Sequence, residues 1–372
     1  MNEQQFGKLS ANKIFIKCAI PGLLSLLSSS IYVVVDGIFI GKFLGSNALA
    51  ALNLIFPIIT ILYAIGDMFA VGSSVKISLA LGAGEKDFAN RLFSNGVLTM
   101  FCINIVITVF GLIFAKPIIF GLIKDTLLAK DTYLYISSFL MFFPLSALLF
   151  ATDDYLRACG KAKFSMTLNI VVSLLNIILD AIFIGVLKMD IRAAALTTGI
   201  STSIGTIISL LPFLFKKLTL RFTVPIVPIK ETLNIIYNGS SDFFGKISGS
   251  LMGILINSLL MIYGGTIYIA SYSIVMYIES FLMCAVFGII SSIQPPISYN
   301  VGKKDFKKAM EIFKLSCIST GAICVVCVIL FYGFSDAIVS VFTPKEEVEV
   351  LNVTKTALFL IAPSYLLAWF NN

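Results

Sequence analysis

FSMTLNIVVSLLNIILDAIFIGVL, residues Phe164 to Leu187, is a largely apolar stretch with a single charged residue, Asp180, deep inside it. About 20 apolar residues suffice to cross a bilayer as a helix, so this segment is long enough to do so. It therefore carries a carboxylate into the membrane, where a charge costs at least ~2.5 kcal/mol on insertion scales and usually faces a cavity that handles ions or substrate. Asn176 precedes Asp180 by four residues and shares its helix face. An amide and an acid on one face suggest a site rather than a lipid-facing surface.

The rest of the chain has the same character. Hydrophobic residues make up 58% of the 372, charged residues only 13%, and the mean hydropathy is +0.98. Soluble domains hold roughly 45 to 50% apolar residues, so the sequence predicts an all-α polytopic membrane protein. Ten spans are expected, near 18–41, 50–75, 92–115, 132–152, 164–187, 193–215, 239–263, 267–293, 315–334 and 356–370. The opening MNEQQFGKLSANKIFIK is polar and basic, and the first apolar run is too long for a signal-peptide core, so it reads as a retained helix.

Lys and Arg crowd the N-terminal arm and the loops after the second, fourth, sixth and eighth spans, whereas the alternate loops carry fewer than half as many. The positive-inside rule then predicts a cytoplasmic N-terminus. This bias accounts for the net charge of +7, so a nucleic-acid partner is not required. There is no histidine, and the seven cysteines sit singly in or beside apolar runs. Cys324 and Cys327 have CxxC spacing but no second ligand pair, so apolar packing is expected of them and no metal site. A membrane-embedded enzyme would need a nucleophile with its base or a metal centre, and the sequence offers neither.

The chain also repeats itself. LGAGEKDFANRLF (81–93) is echoed by NVGKKDFKKAMEIF (300–313), with Gly84, Lys86, Asp87 and Phe88 matching Gly302, Lys304, Asp305 and Phe306. Six spans separate the copies, so both insert with one orientation, as a parallel repeat about an axis along the membrane normal. Residues 1–218 are expected to form an N-lobe of six spans and residues 219–372 a C-lobe of four. Counterparts of the fifth and sixth spans would fall beyond Asn372, and the expectation is a shortened product or fragment of a six-plus-six protein.

VVVDGIFIGKFLGSNALAALNLIFPI in the first two spans, DYLRACGKAKFSM after the fourth, NIILDAIFIG with AAALTTGIS in the fifth and sixth, and QPPISYNVGKKDFKKA after the eighth resemble the multidrug and toxic compound extrusion (MATE) transporters. The similarity covers essentially the whole chain and is nearest the bacterial multidrug-efflux branch. The resemblance implies two lobes around a V-shaped cavity and export of small organic cations across the lipid bilayer, driven by entry of protons or sodium, with no organic cofactor. A lipid-linked sugar flippase of the same superfamily and a non-transporting remnant are the alternatives. The flippase would be expected to carry cationic residues in its cavity, whereas the interior ionisable residues here are mostly acidic.

Asp36 in the first span and Asp180 in the fifth fall at nearly the same depth in the outer half of the membrane. Thr198 and Tyr135 reach a comparable depth, and with Asn176 these residues match the N-lobe cation site that the resemblance implies, with H+ or Na+ held at Asp36 and Asp180. Other roles remain for each: a helix cap or interfacial position for Asp36, an interfacial anchor for Tyr135, and helix-packing hydrogen bonds for Thr198 and Asn176. Glu279 and Asp67 are candidate substrate-binding acids or partners of buried polar groups. Asp242 and Lys246, at i, i+4 spacing, read as a neutralising pair.

Overall fold

The computed structural model describes residues 2–340 and 348–371. A short helix α1 (Gln4–Lys8) leads into the long helices α2 (Ala11–Phe39), α3 (Ser46–Ala83), α4 (Lys86–Leu122) and α5 (Thr126–Ser146). There follow α6 (Leu148–Ala158), α7 (Ala162–Asp180), α8 (Arg192–Leu214), α9 (Ile229–Gly302), α10 (Phe306–Gly333), α11 (Ser335–Ser340), α12 (Val348–Tyr365) and α13 (Ala368–Asn371). Nine helices among the described residues are long and apolar enough to cross a membrane. The protein is an all-α, multi-pass membrane protein.

The first six expected spans are found in order, α5 and α6 together making the fourth, with a break at Ala147 three residues past Pro144. A proline inside a helix removes one backbone hydrogen bond and crowds the preceding turn, which accounts for the break. The tenth expected span, 356–370, is not among the nine. Its residues are split between α12 and α13, and Glu349, Asn352 and Lys355 dilute the apolar character of the first half of α12.

The seventh and eighth expected spans lie within one continuous helical stretch, the 74-residue α9. At 1.5 Å per residue a straight helix of that length would be about 110 Å long, several times the ~30 Å hydrocarbon core. Its two ends nevertheless lie against one segment of α3. A Cβ on Gly72 of α3 would come within 2.0 Å of the Ile235 carbonyl oxygen, and one on Gly82 within 1.9 Å of that of Tyr299. The chain therefore reverses direction between the two halves of α9, as a helical hairpin must.

Helix α2 packs on α7, α7 on α8, α5 on α8 and α4, and α3 on α4, α5 and α6; α9 packs on α10 and α12 and, more extensively, on α3 and α2, so that it joins two groups of helices. Residues 217–228 run between them without helix. The groups approach most closely near the ends that carry the basic loops. There α2 crosses the second half of α9 at Gly22 and Gly288, and α3 crosses the first half at Gly72 and Gly239. Small residues at such crossings let helix backbones touch. The two crossings exchange under the internal repeat, span one against span eight and span two against span seven, so the contact is itself pseudo-symmetric. The two copies of the repeated loop, with Lys86 and Lys304, lie side by side at this basic end, because Gly302 meets the Leu79 carbonyl oxygen across it.

The N-terminal α1 is tied down at the same end. Phe6 stacks edge-on against Tyr299 at 5.7 Å, Asn300 donates to the Phe6 carbonyl at 3.1 Å, and Lys308 donates to that of Gly7 at 2.9 Å. Glu3 accepts from Thr219 at 2.5 Å.

Replacing Gly72 with valine should force these backbones apart, since the nearest atom is a carbonyl oxygen that cannot swing away. Overpacking of this kind costs about 1–3 kcal/mol. Gly249→Ala, where a Cβ meets nothing within 4 Å, should leave stability unchanged or slightly raised. Thermal unfolding of the two purified variants in one detergent checks the contrast.

Candidate functional site

The site is built on a short motif that occurs twice. Asp36-Gly-Ile-Phe-Ile-Gly41 in α2 and Asp180-Ala-Ile-Phe-Ile-Gly185 at the end of α7 share the pattern Asp-x-Ile-Phe-Ile-Gly. In each copy the α-helix widens into a π-helical segment just after the acid, Ile40–Leu44 and Ala181–Val186. Such widenings are uncommon and concentrate at functional sites. The copies pack side by side: Ile40 and Ile184, equivalent within the motif, are both fully buried in one core cluster, and Gly185 faces the Phe39 ring.

This packing brings the two carboxyls together. Asp36 and Asp180 are both buried and lie within hydrogen-bonding reach of one another. Two carboxylates held this close repel one another when both are ionised. Asp180 Oδ1 accepts from Thr197 Oγ1 at 2.5 Å. Asn176, one turn earlier, satisfies both ends of its amide when Nδ2 donates to Asp180 Oδ2 at 3.3 Å and Oδ1 accepts from Thr198 N at 3.3 Å and Thr198 Oγ1 at 3.2 Å. Asp36 Oδ1 is buried and has no hydrogen-bond partner among the described residues. None of the ion pairs among the described residues involves either acid. An orphaned carboxylate oxygen costs ~1–3 kcal/mol or more, a penalty that a bound proton or cation would remove.

Tyr135 of α5 is buried and Tyr32, one turn before Asp36, is half-buried, and both are close enough to feel both carboxylates. Tyr63 of α3 joins the tyrosines and packs on Phe139, Phe143 and Phe150. Aromatic faces beside a paired acid suit an organic cation. All five residues expected at the first site, Asp36, Asp180, Asn176, Thr198 and Tyr135, thus lie in one neighbourhood.

The hydroxyl on Asp180 belongs to Thr197, not Thr198, which serves Asn176 instead. Both threonines stand in the quoted AAALTTGIS, and helix depth alone does not distinguish adjacent residues, which point about 100° apart. The duplicated motif was the signal in the sequence that the two acids would meet.

The other two candidates lie elsewhere. Glu279 of α9 is half-buried and faces Tyr365 and Tyr272. Asp67 of α3 is buried and held by Lys246 of α9, which also pairs with Asp242 at 3.1 Å. The expected Asp242–Lys246 pair is present, but its lysine also reaches across to Asp67. A further network escaped the sequence: Asp153 binds Arg157 and accepts from Ser165 at 2.5 Å and Asn169 at 3.0 Å. Arg157 donates across to Ser291 of α9 at 2.9 Å. At the far end, Arg192 binds Asp190 in the loop before α8 and holds its carboxyl below the usual carboxylate range. Both side chains are about half exposed, so this pair contributes little.

Many apolar helices with two buried carboxyls brought together among them are the frame of a multi-pass membrane transporter. The family profile described as MatE matches residues 21–182 and 243–372, and the chain belongs to the MATE family. It is 30% identical over 371 residues to the multidrug export protein MepA of Staphylococcus haemolyticus, spanning 97% of this chain and 81% of that protein. It is 28% identical over 372 residues to the MepA of Staphylococcus aureus strain MRSA252, with the same coverage of both chains. Among solved structures, an outward-facing multidrug resistance MATE family transporter of the MOP superfamily superposes with a TM-score of 0.92 at 20% identity, over 98% of this chain and 82% of that one. A MOP superfamily transporter from Pyrococcus furiosus, whose binding pocket is described as reversed in polarity, gives the same values. At this identity the superpositions establish the fold.

Thr197→Val keeps the shape of the side chain but removes the hydroxyl that donates to Asp180 Oδ1. It should lower stability by ~1–3 kcal/mol, as for a lost hydrogen bond to a charged group, while Thr197→Ser should restore most of it. Thermal unfolding of the three proteins in detergent measures this directly.

Proposed function

We propose that this protein is a secondary active transporter that exports amphipathic organic cations in exchange for protons or sodium. The observation that carries the proposal is the contact between Asp36 and Asp180, with Asp36 Oδ1 left without a partner. The pair accepts one positive charge, and a proton, a sodium ion and an organic cation compete for it. That competition is what antiport requires: loading of the ion expels the substrate, and loading of the substrate expels the ion. Asn176, Thr197 and Thr198 orient the acids, and Tyr135 with its neighbouring tyrosines offers ring faces to a flat cation.

Residues 1–218 form the N-lobe and residues 219–372 the C-lobe, and the basic end faces the cytoplasm of a bacterial cell, with the N-terminus inside. The similarity to proteins named for multidrug export supports a broad substrate range. One proton exchanged for one monovalent cation is electroneutral, so each unit of pH gradient supplies ~1.4 kcal/mol, a tenfold concentration ratio. Glu279, in the C-lobe, acts as a counter-ion that selects among substrates.

The test is binding of ethidium, a fluorescent organic cation, to the purified protein between pH 5.5 and 8.5. Affinity should rise about tenfold per pH unit where one proton competes. Asp180→Asn should flatten the dependence, and Asp36→Asn should nearly do so. Glu279→Gln should change the preference between cations and leave the slope intact. A pH dependence unchanged in Asp180→Asn would return that residue to a structural role.

A further inference from the structure

Beyond the Gly72–Gly239 crossing, on the side away from the basic end, the seam between α3 and α9 is closed by charge. Asp67 lies about 24 Å along α3 from its basic end, and Lys246 about 25 Å along α9 from its start, at 1.5 Å per residue. Both are therefore near the middle of the membrane. Lys246 binds Asp67 across the seam and Asp242 one turn back on its own helix. The lysine side chain is 37% exposed and that of Asp67 11%, so the cation stands in front of a buried acid.

The internal repeat supplies a control for what this seam requires. In the equivalent seam, between α2 and the second half of α9, the same position beyond the Gly22–Gly288 crossing is closed by Ser30 and Cys284 at 2.7 Å, a neutral pair. A charge is thus not needed to hold two helices together at this depth. Charges in the membrane interior are costly enough that one retained without structural need marks a functional site.

The charges around Lys246 point the same way. Asp154 of α6 acts on both Asp67 and Asp242, and its nearest cation, Arg157, lies 4.0 Å away and is already bound to Asp153. Tyr63, which reaches the tyrosines around Asp36, is also within electrostatic range of Asp67. Four carboxyls, Asp67, Asp242, Asp153 and Asp154, face two cations. If a foreign cation replaced Lys246 on Asp67 while Lys246 retained Asp242, the excess of carboxyls over cations would fall from two to one.

We propose that Lys246 is a tethered cation that occupies a second organic-cation site, formed by Asp67 with Asp242, and that an incoming substrate displaces it. Displacement breaks the one ionic tie across the α3–α9 seam at this depth, so substrate binding loosens the contact between the lobes. This deepens the export function and rests on it for the class of ligand. A lysine of purely structural use would instead be stabilised by its acids and indifferent to substrate.

The experiment measures ethidium affinity of the purified full chain by fluorescence polarisation, with thermal unfolding in parallel. Lys246→Gln, which can still donate to Asp67 but carries no charge, should bind ethidium five- to twentyfold more tightly than the parent, and Lys246→Arg should bind about as the parent does. Asp67→Asn should bind more weakly, and adding Lys246→Gln to it should bring no gain. A second measurement needs no substitution: ethidium should raise several-fold the reactivity of the Lys246 amine toward an amine-specific reagent, read by peptide mass spectrometry. Unchanged or weaker binding in folded Lys246→Gln, or an amine whose reactivity ethidium leaves unchanged, overturns the tethered cation while leaving export standing. Failure of the parent protein to bind ethidium or any comparable cation overturns both.

Discussion

A carboxylate inside a bilayer is tolerable only if something carries positive charge to it, and the first bundle is arranged around two that share this problem. Asp36 and Asp180 arrive at one depth because α2 and α7 run side by side in the same direction and carry the same six-residue motif. Their proximity sets two like charges against one another when both are ionised. The π-helical turns after each acid, the threonines of α8 and the tyrosines of α2, α3 and α5 surround that pair. Each either bonds a carboxyl oxygen or shapes the space beside it.

The second bundle meets the first through backbone-to-backbone glycine crossings at one end. Contacts of this kind are rigid against compression but carry little directional bonding, so they suit helices that must pivot. Among the described residues the polar links laid over them are Lys246 to Asp67, Lys76 to Glu231, Arg157 to Ser291, Ser30 to Cys284, and α1 across the basic end. A transporter that alternates access has to break some of these and not others. The charged ones are those a cationic substrate can compete for.

Much of this was legible in the sequence. Hydropathy alone predicted a many-helix membrane protein, the echo between residues 81–93 and 300–313 predicted that both copies lie at one end, and lone acids in apolar runs picked out Asp36 and Asp180, which the fold brings together. Two features were less accessible. The tenth expected span was marginal because Glu349, Asn352 and Lys355 sit in the helix that carries it, and Leu366 and Leu367 interrupt it after Pro363. Long-range polar partners were hidden altogether: spacing could pair Asp242 with Lys246 on one helix, but nothing local says that Lys246 also reaches Asp67, 179 positions away. The substitution of Thr197 for Thr198 at the acid is the same limit in miniature, since depth along a helix fixes a turn and not an azimuth.

The central claim is that one positive charge is shared between ion and substrate at Asp36 and Asp180. It is tested most directly by measuring proton release when ethidium binds the purified protein in lightly buffered, sodium-free solution near neutral pH. The account predicts up to one proton released per ethidium bound, with the release lost in Asp180→Asn. Ethidium binding that releases no proton, and whose affinity is equally indifferent to added sodium, would contradict it.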